Sequence, residues 1–200
     1  MTILHLGFLA SHGGSNMQAI IDACKTGRLD AKPCVVISNN SDSMALQRAK
    51  NEGIPHYHIS SLTHPGSLED EEILRTMKRH KVDTVILAGY MKMLGPATQR
   101  AYRGRILNIH PALLPKFGGK GMYGKRVHEA VLAAGEKVTG VSIHIVDENY
   151  DTGPIIAQCQ VPVQEGDTVD SLAERVLKHE HILYAETLQK IAEGKIILGK

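Results

Sequence analysis

Several absences narrow what this 200-residue chain can do. No apolar run approaches the roughly 20 residues that a membrane-spanning helix needs. The most apolar stretches, residues 85–88 and 141–146, are far shorter. The opening MTILHLGF has neither a basic n-region nor a cleavage site, so a cytoplasmic protein with no membrane partner is expected. An excess of one charge is missing too. Lys and Arg number 23 against 21 Asp and Glu, a formal +2, which is too balanced for binding nucleic acid by phosphate neutralisation. Any anion bound should be small. Cys24, Cys34 and Cys159 are scattered without a C-x-x-C pair, which argues against a disulfide framework and a zinc site. They read as small buried apolar residues. His179 and His181 form an H-x-H pair, but that spacing points the rings apart on a helix and no third ligand is near in sequence, so no metal is expected. G-x-G-x-x-G, G-x-x-x-x-G-K-[ST] and G-x-S-x-G are all absent, as are repeats and low-complexity tracts.

What is present is a 42% hydrophobic chain, enough for one core, expected as a single domain over residues 1–200. Apolar, β-branched segments at residues 3–10, 32–38, 56–59, 84–88 and 106–110 alternate with helical patterns at residues 17–26, 43–51, 67–81, 96–102 and 126–134. The 67–81 helix starts acidic and ends basic, a solvated face that complements its dipole. Residues 138–146 and 154–163 flank a tight turn and read as an antiparallel strand pair. Asp167 or Thr168 then caps a long amphipathic helix with apolar positions at Val169, Leu172 and Val176. This order predicts an α/β fold with a doubly wound, mainly parallel, Rossmann-like sheet and a mixed C-terminal edge.

The stretch that carries most chemistry is ILNIHPALLP, residues 106–115. Side chains two apart on a strand share a face, so Asn108 and His110 project together, and Pro111 ends the hydrogen-bond ladder behind them. Ligands of open parallel sheets bind beyond such carboxyl ends. The same pair also serves in turns and caps, so spacing alone leaves both readings open. A second candidate is the turn Ser11-His12-Gly13-Gly14-Ser15-Asn16, which feeds directly into a helix and offers backbone N–H groups to a phosphate. Its plain alternative is a strand-to-helix turn with Ser15 as N-cap. Met91, Lys92, Met93 and Leu94 lie beyond the 84–88 strand, where soft apolar side chains could line a pocket for a flat ring or simply be core. Four glycines in residues 118–124 mark a flexible loop. An Asn, a His and a later Asp with no nearby nucleophile suit acyl or formyl transfer by direct attack of an amine. Asn108 would meet the oxyanion and His110 the protons. Asp151 could equally cap its own turn through Thr152 and Gly153.

These residues resemble the folate-dependent formyltransferases: N-I-H-P-A-L-L-P is followed some forty residues later by D-x-G-P-I-I. G-S-N-M-Q-A-I-I-D-A-C is closest to the members of purine synthesis. The resemblance runs from Ile3 to about Ile191. It implies transfer of the formyl group of 10-formyltetrahydrofolate, the co-substrate, to the amine of glycinamide ribonucleotide, by a monomer or homodimer that needs no metal. It also implies a catalytic set of Asn108, His110 and Asp151, a phosphate loop of Gly14, Ser15 and Asn16, and a substrate contact at Glu180. The implied folate pocket combines Met91, Lys92, Met93, Leu94 and Asn108 with the turn Asp147, Glu148, Asn149, Tyr150 and Asp151. The chain departs from the pattern in three places. Its first turn has an extra residue. Lys92 stands where Arg is common, and no Arg lies around Ser67. Residues 116–125 differ from the usual loop. A formyltetrahydrofolate hydrolase and a methionyl-tRNA formyltransferase share the N-I-H-P signal, but each usually carries an extra domain for which this length is expected to leave no room. A non-catalytic phosphosugar-binding module is the alternative of another class, and the intact Asn108, His110 and Asp151 set speaks against it.

Overall fold

The computed structural model describes residues 2–199. Strands β1 (Leu4–Leu9), β2 (Ala31–Ser38), β3 (His56–His58), β4 (Thr84–Leu87), β5 (Ile106–His110), β6 (Val138–Ile145) and β7 (Ile155–Pro162) form a seven-stranded sheet in the order β3-β2-β1-β4-β5-β6-β7. Pairing is parallel from β3 to β5 and antiparallel for β5–β6 and β6–β7, as the alternation of elements predicts. The helices are α1 (Ser15–Lys25), α2 (Met44–Asn51), α3 (Leu68–Arg79), α4 (Pro96–Ala101), α5 (Lys125–Ala133) and α6 (Val169–Ala192). No helix among the described residues is long and apolar enough to cross a membrane.

The sheet is buried on both faces, which is why β4 reads as an unbroken apolar run and not as an alternating one. On one face Leu6, Phe8, Ile86 and Leu107 pack against residues of α1, α2, α5 and α6, including Met17, Ile20, Val131 and Tyr184. On the other face Leu9, Val35, Val85 and Ile106 pack with Ile73 and Met77 of α3 and with Tyr102 beyond α4. Burying each such large side chain contributes roughly 1.5–3 kcal/mol. The Tyr184 hydroxyl, sealed in the first core, donates to the Leu107 carbonyl at 2.9 Å, so β5 is tied to α6 by a bond as well as by packing. α6 starts at a capping box in which Thr168 accepts from Ser171 N–H, which resolves the choice between Asp167 and Thr168.

Strand order reverses between β1 and β4, and there the loops after the two strands part to leave a crevice. Ser11 fastens the crevice floor. Its N–H donates to the Gly89 carbonyl at 3.0 Å and its Oγ accepts from Met91 N–H at 2.8 Å.

Candidate active site

β5 carries Asn108 and His110 to this crevice, and the antiparallel register of β6 sets His144 opposite Asn108 and Ser142 opposite His110. His110 is 3% exposed. Its Nε2 lies 2.8 Å from the Phe117 carbonyl, which can only accept, so that nitrogen carries the proton. Its Nδ1 lies 3.5 Å from Asp151 Oδ2. Asp151 sits at φ 57, a left-handed conformation that Asp and Asn tolerate better than other side chains. There it accepts from Gly119 N–H at 2.9 Å and places Oδ1 3.3 Å from His144 Nε2. The Asn108 amide nitrogen is 3.0 Å from the same His144 Nε2. His144 Nδ1 faces the Ile145 carbonyl at 3.1 Å, so this ring too is oriented by a backbone acceptor. One carboxylate thus stands between two imidazoles, the second of which also touches Asn108.

The electrostatics follow from burial and pairing. Burial pulls the His110 pKa down. The Asp151 charge and the Phe117 carbonyl push it back, and the balance stays below the ordinary 6.5, so the ring is mainly neutral at neutral pH. Burial resists ionisation of Asp151. The polar contacts with His144 and the Gly119 N–H, with the proximity of both imidazoles, outweigh it and hold the carboxyl below 3.8.

These groups open on a cleft of about 470 Å³ whose walls include Met91, Ile109, Met122, Tyr150 and, at one end, Asn16 and Glu180. Asn16 Nδ2 donates to Glu180 Oε2 at 2.6 Å, a buried bond joining the first turn to α6 across 164 residues of chain. Burial raises the Glu180 carboxyl above 4.5, and Asn16 offsets part of that rise. The N-cap of α1 is Gly14 at φ 66, not Ser15, and no side chain caps it. The N–H groups of Ser15, Asn16 and Met17 therefore precede the first helical bond, from Gln18 to the Gly14 carbonyl. A side chain at Gly14 would meet Ala45 Cβ at 2.9 Å as well as the strain of a positive φ.

The turn-capping alternative for Asp151 is replaced. Asp147 accepts from Thr152 Oγ at 2.8 Å and from Asn149 N–H at 3.0 Å, which leaves Asp151 free to face the imidazoles. The residues grouped with folate do not share one wall. Met91, Asn108, Tyr150 and Asp151 line the cleft beside His110. Asp147, Glu148 and Asn149 line a neighbouring cavity of about 770 Å³ beside α4. Met93 and Leu94 line a third, of about 350 Å³, and Lys92 is held by Glu69 at 2.6 and 2.7 Å. Reading the sequence missed His144, the Gly119 N–H and the Phe117 carbonyl. His144 had one visible signal, its place two residues from Ser142 in an alternating strand.

Compared with known proteins, the chain matches the formyl transferase family over residues 4–188. It is 43% identical over 196 residues to the chloroplastic phosphoribosylglycinamide formyltransferase of Vigna unguiculata, covering 98% of this chain and 63% of that one. It is 39% identical over 194 residues to phosphoribosylglycinamide formyltransferase of Escherichia coli (strain K12), covering 96% and 89%. The solved structure of glycinamide ribonucleotide transformylase 1 from Symbiobacterium toebii superposes with a TM-score of 0.91 at 38% identity, covering 98% of this chain and 91% of that one. The chain thus spans under two thirds of the plant relative and most of the bacterial ones.

Proposed function

This chain belongs to the formyl transferase family, and from that premise we propose that it transfers the formyl group of 10-formyltetrahydrofolate to the amine of glycinamide ribonucleotide. The observation that carries the reading is the meeting of Asn108, His110 and Asp151 in a cleft that also holds Asn16 of the glycine-rich turn and Glu180. A phosphate on the uncapped start of α1 leaves the rest of the substrate reaching past Asn16 and Glu180 toward His110. Met91, Ile109, Met122 and Tyr150 give the cleft the apolar walls a flat heteroaromatic ring requires.

Bound 10-formyltetrahydrofolate supplies the formyl carbon. The substrate amine attacks that carbon directly, and among the described residues lining the cleft there is no Ser, Thr or Cys to form a covalent intermediate. The Asn108 amide hydrogen-bonds the oxygen as it gains charge. His110, neutral because it is buried, accepts the proton that the amine loses and returns it to the departing folate nitrogen. Asp151 stabilises the imidazolium formed in between, so no net proton is consumed.

The test is donor consumption by the purified protein. The folate should turn over only when glycinamide ribonucleotide is present. Equal turnover in water alone would make the chain a hydrolase, and no turnover under either condition would leave a binding module.

A further inference from the structure

α5 has an unusual start. Its N-cap Gly124 has φ 55 and ψ −134, which side chains rarely adopt, and no side chain caps the helix. The start of α1 at Gly14 is likewise glycine-capped and free of side-chain caps. Both starts line one groove of about 310 Å³ next to the catalytic cleft. Two helix starts that line one concavity bring two positive dipole ends and two sets of N–H groups to its wall, an environment for an anion.

One buried side chain on the groove wall points independently to an anion. His128 is 5% exposed and its Nδ1 has no partner. Buried polar atoms are nearly always paired, so this orphan calls for a partner from outside the chain, and an imidazole N–H can donate to an anion. Asn16 Oδ1, also without a partner, can only accept and suits a hydroxyl or amine of the same ligand. Among the described residues, the α1 half of the groove wall carries no Lys or Arg. Arg48, the nearby guanidinium, is already engaged, with Nε donating to the Gly13 carbonyl at 3.0 Å. α5 supplies a cation in Lys125, one helical turn from His128 and on the same side. Lys125 Nζ now rests 2.6 Å from Asp170, but the two side chains are 68% and 77% exposed, so the pair is a weak tether.

We propose that the substrate's phosphate is held between the two helix starts, with Lys125 moving from Asp170 onto it and His128 closing the inner wall. This rests on the phosphosugar reading above and gives the divergent loop at residues 116–125 a purpose: it delivers the second half of the phosphate site. Burial and the nearby His110 hold the His128 pKa below 6.5, so that ring serves as a neutral hydrogen-bonding group and Lys125 provides the counter-charge.

The experiment compares Lys125→Met with wild type. KM for glycinamide ribonucleotide should rise about 10-fold or more, the scale of a lost charge-assisted hydrogen bond. Values of kcat and of KM for the formyl donor should hold. The dephosphorylated glycinamide ribonucleoside should be used equally by both proteins, and Asp170→Asn should lower the ribonucleotide KM by releasing the lysine. An unchanged ribonucleotide KM in Lys125→Met, or an equal loss with the ribonucleoside, would overturn the proposal. Wild type that transfers no formyl group would sink the reaction assigned above. Calorimetry with inorganic phosphate would still decide the groove, since weaker binding by Lys125→Met supports the proposal and equal binding overturns it.

Discussion

Replacing Asp151 by Asn removes one charge and almost nothing else. The residue sits at φ 57, which Asn adopts as readily as Asp, so the backbone should not move. The carboxylate serves three groups: Gly119 N–H at 2.9 Å, His110 Nδ1 at 3.5 Å and His144 Nε2 at 3.3 Å. A carboxamide has one accepting oxygen. If that oxygen keeps Gly119, the NH₂ faces His144; if it turns, Gly119 N–H loses its acceptor. In either pose His110 loses the anion that raises its pKa, so its titration should move further below 6.5. The imidazolium formed as the amine loses its proton is then unsupported. A fall in kcat of about 10²-fold, about 2.7 kcal/mol, is expected from general acid–base catalysis. KM for both substrates should change little. The assay is formyl transfer at saturating substrate, with the His110 ring titrated by NMR. His110→Ala should be similarly damaged, and the double variant little worse than either, because the two residues act as a unit. Near wild-type kcat in Asp151→Asn, or fully additive losses, would refute the pairing.

Three further outcomes follow. Gly14→Val should weaken ribonucleotide binding far more than folate binding in calorimetry, because its Cβ would lie 2.9 Å from that of Ala45 and displace the N–H groups of α1; equal loss of both would count against a phosphate at this turn. Glu180→Gln keeps an oxygen for Asn16 but removes a buried charge, so it should unfold at higher temperature while binding substrate less well. Since folding raises the pKa of this carboxyl, the penalty on stability is present above the folded pKa. The gain should therefore show at pH 8 and vanish toward 4.5, where the unfolded carboxyl also takes its proton; a gain independent of pH would exclude the charge as its cause. His110, His128 and His181 all have folded pKa values lowered first by burial, so the unfolded chain takes protons before the folded one does. The urea midpoint should drop as pH is lowered from 6.5 through the folded values, and a flat midpoint would contradict that burial.

How much of this site the sequence disclosed depends on how far apart in the chain the cooperating groups lie. Asn108 and His110 are legible because the two-residue period of a strand is local and Pro111 marks where the strand ends. The mainly parallel sheet is legible for a similar reason, since continuous apolar runs alternate with helical periods. The sequence offers Ser15 as the cap of the first helix, but the cap is Gly14 at φ 66, a left-handed turn that local polarity does not reveal. The folate group reads as two contiguous stretches, yet in the fold Asp147, Glu148 and Asn149 line one cavity and Tyr150 and Asp151 another. His144 was hidden most deeply. Its role exists only because β6 pairs with β5 in the register that sets His144 against Asn108. A slip of one residue would carry His144 to the opposite face of the sheet, away from both Asn108 and Asp151. Ser142 opposes that slip: its Oγ donates to the Ala112 carbonyl at 2.6 Å and accepts from Leu114 N–H at 3.0 Å, pinning the loop after β5 to β6. The segment that follows N-I-H-P therefore holds the register on which the second imidazole depends, and the unit of this candidate site is a strand pair, not a motif.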